Sequence, residues 1–136
     1  MIIGVGLDVV ELERIDRIVK QPSGARFAEK VLTPGERERW NRLPARRALE
    51  FIAGRFAAKE AVVKALGCGI GGAAGFHDVE ILPDSAGKPV CRLSKACRER
   101  LGLRDGSYAI HVAITHERNL AASTAVVERI QHAPDK

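Results

Sequence analysis

Apolar and polar positions change period several times along the chain, and each change predicts an element. Residues 2–10 are apolar and β-branched and read as a strand, interrupted by Gly4 and Gly6. Glycine inside a strand marks a bulge or a close backbone approach. Leu12, Ile15, Ile18 and Val19 then recur at helical spacing over residues 11–20, and Gln21-Pro22-Ser23-Gly24 breaks that helix. A short helical piece from Arg26 to Leu32 follows. Thr33-Pro34-Gly35-Glu36 reads as a helix start, with Thr33 as N-cap, Pro34 at the first helical position and Glu36 completing a capping box. Pro44 ends that helix near Leu43. The longest helix runs over residues 46–66, with Leu49, Ile52, Ala53, Phe56 and Val63 as its apolar stripe and Gly67 at C′.

A glycine-rich loop covers residues 67–75. Val79-Glu80-Ile81-Leu82 and Val90-Cys91-Arg92-Leu93 read as a hairpin turning at Asp84-Ser85-Ala86-Gly87. Ser94 caps a helix reaching Leu101, and Arg104-Asp105-Gly106-Ser107 turns the chain into a strictly alternating strand. Tyr108, Ile110, Val112 and Ile114 share one face of it, and Ala109, His111, Ala113 and Thr115 the other. A turn at residues 116–119 leads into a last strand over 120–128, and residues 131–136 read as a loose tail. The pattern predicts an α+β fold, a mostly antiparallel sheet packed with a long helix, in a single domain over residues 1–130.

Composition narrows the class. Of 136 residues, 46% are hydrophobic, enough for a packed core without disorder. No apolar run approaches the ~20 residues that span a bilayer, so no membrane is expected as a partner. Met1 leads straight into Ile2-Ile3-Gly4, with no basic n-region or cleavage site, so no signal peptide is expected. The three cysteines, Cys68, Cys91 and Cys97, show no zinc spacing and read as reduced thiols of a cytoplasmic protein. The net charge of +5 suits acidic partners. Aromatic residues are only 4%, thin for base stacking, and nucleic acid is not expected.

Two carboxylates stand against apolar backgrounds. Glu60 lies ~40° from Phe56 on the helical wheel, inside the stripe. A carboxylate there pairs with Lys64 or Lys59, ionises poorly, or binds a cation. Asp8 closes the first strand, where an acidic residue has poor propensity; it caps the next helix or joins Glu60 on a hard cation. The glycine-rich loop follows a helix C-terminus, where the dipole repels anions, so close packing suits it better than a phosphate cradle. Arg14 and Arg17 on the polar face of residues 11–20, with Arg26 and Lys30 beyond, read by themselves as a solvated basic face.

These residues resemble a family. Gly4-x-Gly6-x-Asp8 is similar to the first motif of the phosphopantetheinyl transferases, and Phe56-Ala57-Ala58-Lys59-Glu60-Ala61-Val62-Val63-Lys64 to their second. Arg26-Phe27-Ala28-Glu29-Lys30-Val31-Leu32-Thr33, Gly54-Arg55-Phe56, Gly67-x-Gly69-Ile70-Gly71, Gly87-Lys88-Pro89 and His111-Val112-x-Ile114-Thr115-His116 resemble stretches of the short acyl-carrier-protein synthase branch. Together they cover about residues 2–130. Phe56 stands where the larger two-domain branch has tryptophan, in keeping with the short form. Cys68 departs from the hydroxyl residue common in the family.

The resemblance implies an enzyme that moves the 4′-phosphopantetheine arm of coenzyme A to a serine of an apo acyl carrier protein in fatty acid biosynthesis. It implies that Asp8 and Glu60 ligate Mg²⁺ with the coenzyme A pyrophosphate and that Lys64 neutralises those phosphates. Arg46, Arg47 and Arg55 would face the remaining phosphate of the nucleotide, with Gly67, His111 and His116 near the cofactor. Arg14, Arg17 and Arg26 would meet the acidic carrier, and the enzyme would be a homotrimer with sites between subunits. A metal-bound water and a side chain both stay open as acceptor of the serine proton. Three rival classes fit parts of the sequence: a small basic nucleic-acid-binding module, a two-carboxylate metal-dependent nuclease and a purely structural trimeric module.

Overall fold

A computed structural model of the chain describes residues 1–130; the expected tail at 131–136 lies outside them. Strand β1 (Ile2–Glu11) is followed by helices α1 (Leu12–Lys20), α2 (Gly24–Val31), α3 (Pro34–Asn41) and the long α4 (Ala45–Leu66). After a 3-10 turn at Phe76–Asp78 come β2 (Val79–Pro83), β3 (Pro89–Leu93), α5 (Lys95–Leu101), β4 (Tyr108–His116) and β5 (Leu120–Arg129). The sheet order is β1-β5-β4, antiparallel throughout, with β2 and β3 as a separate hairpin.

Local chemistry sets the boundaries. Thr33 Oγ1 accepts from the Glu36 amide at 3.2 Å while Glu36 Oε1 accepts from the Thr33 amide at 2.8 Å, the reciprocal cap that starts α3. Gly67 ends α4 at φ 79°, in the left-handed region that favours glycine. Ser94 caps α5 by accepting from the Cys97 amide at 3.1 Å.

Helix α4 is the axis of the molecule. Its residues Ile52, Ala53, Ala57, Ala58, Ala61, Val62 and Val63 are all buried, because the three-stranded sheet covers one side and α1–α3 with β2 cover others. It is therefore buried nearly all round, and a single apolar stripe does not describe it. Contact with the sheet depends on two glycines. A Cβ on Gly4 would stand 1.7 Å from the Ala65 carbonyl oxygen, and one on Gly6 1.8 Å from that of Ala61. Only hydrogen side chains let β1 lie directly on the α4 backbone, the close approach expected of these glycines.

Pairing of β1 with β5 continues through Val9↔Ala122 to Glu11↔Leu120. Asp8 therefore lies inside the strand, opposite Ser123, and does not close it. Nor does it cap α1, whose N-cap is Glu11. The outer sheet face carries Val5, Leu7 and Val9, exposed by 65%, 58% and 53%, an apolar surface with nothing packed on it in the single chain.

Candidate active site

Strand β1 and the C-terminal half of α4 bring three charged residues together. Lys64 Nζ donates to Asp8 Oδ1 at 3.0 Å and to the Leu7 carbonyl at 3.0 Å. Glu60, one turn before Lys64, makes no hydrogen bond or ion pair among the described residues. Its carboxyl is pushed above the ordinary glutamate range, first by burial and then by the negative charge of Asp8, while Lys64 opposes the shift. Neither expected lysine pairs with Glu60: Lys64 turns to Asp8 and Lys59 turns away into the core. The result is two carboxylates that repel one another at a half-open surface, with one ammonium paired to Asp8.

No cluster of three or more His, Cys, Asp or Glu suited to a metal occurs among the described residues. A two-carboxylate site instead fits a hard cation that keeps waters and takes its remaining oxygens from a phosphorylated substrate. Burial first, and the Asp8 charge second, make the ionised form of Glu60 costly, and a bound cation would offset that cost.

Lys59 is the buried charge of the motif. Both it and Glu36 have 0% side-chain exposure, and they pair at 2.6 Å. Lys59 Nζ also donates to the Val31 carbonyl at 2.7 Å and the Phe76 carbonyl at 2.9 Å, while the Ile81 amide donates to Glu36 Oε2 at 2.8 Å. One ion pair thus ties α2, α3, α4, the 3-10 turn and β2. The sequence shows Glu36 only as a cap.

The glycine-rich loop is anchored at its far end by Asp78. Its carboxylate accepts from the Gly75 amide at 2.8 Å, Ser94 Oγ at 2.6 Å and Arg100 at 2.8 Å. Burial alone would raise its pKa, but these hydrogen bonds and the Arg100 charge outweigh it and hold the carboxyl below the usual range. Arg100 also donates to the Ala73 carbonyl at 2.9 Å. Neither residue stands out in sequence. Gly67 lies at the near end of the loop, directly after α4.

A second site lies toward the N-terminal half of α4. A groove of about 400 Å³ is lined by Arg39, Arg47, Phe51, Arg55 and His116. Arg55 Nε donates to the Ile81 carbonyl at 3.1 Å, and its guanidinium lies 4.2 Å from the centre of the Phe51 ring. Burial brings its pKa down to about 10; Glu36 opposes that shift and Arg39 adds to it. His116 Nδ1 meets Glu50 Oε2 at 3.0 Å.

The structure separates two of the expected nucleotide residues from this groove. Arg46 does not line it: it donates to the Arg118 carbonyl at 2.9 Å and lies 3.7 Å from Glu50 Oε2, the oxygen that also meets His116. Neighbours on a helix diverge by ~100°, so Arg46 and Arg47 cannot share a face. His111 stands on the outer face of β4, its Nε2 3.1 Å from Glu128 Oε1. Arg14, Arg17 and Arg26 are exposed on α1 and α2, and none has an ion pair among the described residues.

Known proteins share this arrangement of strand, long helix and loop. The family profile described as the 4′-phosphopantetheinyl transferase superfamily matches residues 4–125. A holo-[acyl-carrier-protein] synthase of Halalkalibacterium halodurans is 46% identical over 130 residues, covering 96% of this chain and 98% of the relative. The chain belongs to the 4′-phosphopantetheinyl transferase superfamily. A synthase of the same name from Bacillus subtilis is 44% identical to this transferase over 133 residues, covering 96% and 98%. Among solved structures, a holo-(acyl-carrier-protein) synthase of Bacillus anthracis in complex with CoA (3′,5′-ADP) superposes with a TM-score of 0.81 at 37% identity, covering 96% of this chain and 99% of its own. The Neisseria meningitidis synthase gives a TM-score of 0.84 at 35% identity, covering 95% and 100%. The α+β fold read from the sequence is that of these enzymes. Among the described residues, no helix is long and apolar enough to cross a membrane.

Proposed function

We propose that this transferase moves the 4′-phosphopantetheine arm of coenzyme A onto a serine of an apo acyl carrier protein, giving holo carrier and 3′,5′-ADP in the cytoplasm. The observation that carries the mechanism is the convergence of Asp8, Glu60 and Lys64 on one half-open face. The serine hydroxyl loses its proton as its oxygen forms a bond to the β-phosphorus of coenzyme A, the bond to the bridging oxygen breaks, that oxygen leaves with 3′,5′-ADP, and one proton is released overall. The chain positions the groups and balances charge. Asp8 and Glu60 would hold Mg²⁺, which supplies charge neutralisation for the pyrophosphate when bound. Lys64 exchanges one of its bonds to Asp8 and the Leu7 carbonyl for a phosphate oxygen, so its ammonium stays partnered throughout.

Arg47 and Arg55 face the nucleotide's remaining phosphate from their groove. Thirteen residues separate Glu60 from Arg47, about 20 Å along a helix rising 1.5 Å per residue. The two sites of one chain also lie on different sides of α4. A second copy, seated on the apolar face of β1, would bring a groove and a carboxylate pair together; the number of subunits, three, comes from the family resemblance. Arg14, Arg17 and Arg26, exposed and without an ion pair among the described residues, suit an acidic carrier and would steer its approach.

The experiment is turnover of coenzyme A and apo carrier with and without a chelator. Magnesium-dependent release of 3′,5′-ADP by wild type, lost in Glu60→Gln, is the expected result; chelator-insensitive turnover would remove the metal from the reading.

A further inference from the structure

The groove beside α4 contains one guanidinium that the sequence does not single out. Arg39, in the last turn of α3, is exposed and lines the same groove as Arg47, Arg55 and His116. Its placement is fixed by two contacts of its own helix. The Thr33–Glu36 cap sets the start of α3, and the Trp40 indole Nε1 donates to the Ala48 carbonyl at 3.0 Å, pinning α3 to α4 next to Arg47.

The cations around it are committed elsewhere. Arg42 pairs with Glu38 at 2.7 Å, and Arg46 is held by the Arg118 carbonyl and Glu50. Arg55 has spent its Nε on Ile81 and its face on Phe51. The guanidinia of Arg39 and Arg47 have neither a hydrogen bond nor an ion pair among the described residues. The one carboxylate lining the groove, Glu50, already meets His116. Three guanidinia therefore share a groove whose one lining carboxylate among the described residues is already paired, and Arg39 adds to the lowering of Arg55's proton affinity that burial causes and Glu36 opposes.

Such a cluster asks for a compact, highly charged anion. A phosphate monoester carries about −1.5 to −2 near neutral pH and three acceptor oxygens. Free guanidinium forks match those oxygens in pairs. In coenzyme A the only phosphomonoester is the 3′-phosphate; the pyrophosphate is already accounted for at Asp8, Glu60 and Lys64.

We propose that Arg39 is a specificity-determining residue of this transferase, holding the 3′-phosphate of coenzyme A together with Arg47 in the place the sequence gives to Arg46. The inference rests on the proposed function and narrows it, since the nucleotide is then read by α3 as well as α4.

Paired kinetics test it. Coenzyme A and dephospho-coenzyme A are each supplied with apo carrier protein and magnesium, and the ratio of their kcat/KM values is measured. Wild type is expected to favour coenzyme A strongly. Arg39→Gln should lower that ratio about tenfold, the scale of one lost charged hydrogen bond, through a higher KM for coenzyme A, with Arg39→Lys in between. A wild-type ratio near one would overturn both Arg39's role and the groove as a phosphate subsite, while leaving the transfer reaction standing. A high wild-type ratio unchanged in Arg39→Gln, including an equal loss with both substrates, would overturn the role of Arg39 alone.

Discussion

Two lysines five residues apart on α4 do opposite work. Lys59 is wholly buried, and its ammonium has three protein partners, the Glu36 carboxylate and two carbonyls. Lys64 has a side chain 52% exposed and pairs with Asp8, itself 19% exposed. The first charge is closed off: nothing from outside can reach it, and taking either partner away strands the other in the core. The second is open to exchange, and beside it the Glu60 carboxylate has no hydrogen-bond or ion-pair partner among the described residues. A motif with two lysines thus holds one that locks the fold and one that stays half-exposed in a pair with Asp8. The lesson is that saturation, more than charge, separates a structural ion pair from a functional one.

The comparison breaks most sharply at the carboxylates. Asp8→Asn and Glu60→Gln should each fold and lose activity by a hundredfold or more on the scale of catalytic electrostatic groups, measured as 3′,5′-ADP release at limiting magnesium. Glu60→Gln should also raise the thermal midpoint of metal-free protein. The folded-state pKa of Glu60 lies above its unfolded value. Its ionised form therefore costs stability at every pH above the folded pKa, and the cost fades as pH falls below the unfolded one. A variant that is less active and also less stable would show that Glu60 is a structural group after all.

Gly6→Ala comes next. Its Cβ would press on the Ala61 carbonyl, pushing β1 off α4 and spreading Asp8 from Glu60. Activity should fall along with the thermal midpoint, and unchanged turnover would mean that the close approach does not set the site.

Lys59→Met should produce the reverse profile of Glu60→Gln. Breaking a buried pair costs about 3–5 kcal/mol, visible in urea unfolding, while folded molecules at low temperature keep their turnover. Lys59→Met with Glu36→Gln should cost less than the sum of the two single changes. Strict additivity would show that the two groups do not act as a pair.

Smaller effects lie at the periphery. If Asp8 and Glu60 hold the ion as proposed, magnesium affinity should weaken as pH falls, with a midpoint above the ordinary glutamate range, because a metal ligand must be ionised; metal titrations at several pH values measure it. Arg14→Glu should raise the KM for the carrier severalfold at low salt and leave that for coenzyme A in place. The effect should fade as salt rises, since exposed charges are screened over ~10 Å at 0.1 M.

Much of this was legible in the sequence wherever the signal is local. The capping box at Thr33, the glycine that ends α4, the hairpin turn and the alternation of β4 all appear where the residues place them. Asp8 and Glu60 emerge as a pair because each is a carboxylate among apolar neighbours. What stayed hidden depends on tertiary packing. A wheel that assumes one apolar face puts Glu60 in the stripe and leaves Lys59 ordinary; with α4 covered on several sides, Lys59 is the one that is buried. Strand β1 outlasts Asp8 because β5 pairs with it as far as Glu11, which no propensity at residues 9–11 announces. Arg46 and Arg47 look equivalent as neighbours, yet the helix sends them into different grooves. Arg39 sits on a short polar helix without periodicity, and only the α3–α4 contact at Trp40 gives it a place.

The most direct test of the central claim is an intact mass spectrum of an acidic apo acyl carrier protein after incubation with the pure protein, coenzyme A and magnesium. The expected product is a carrier heavier by one phosphopantetheine arm, attached to a serine, with no shift when a chelator is present or when that serine is replaced by alanine. Bound coenzyme A with no added arm on any of several acidic apo carriers would contradict it.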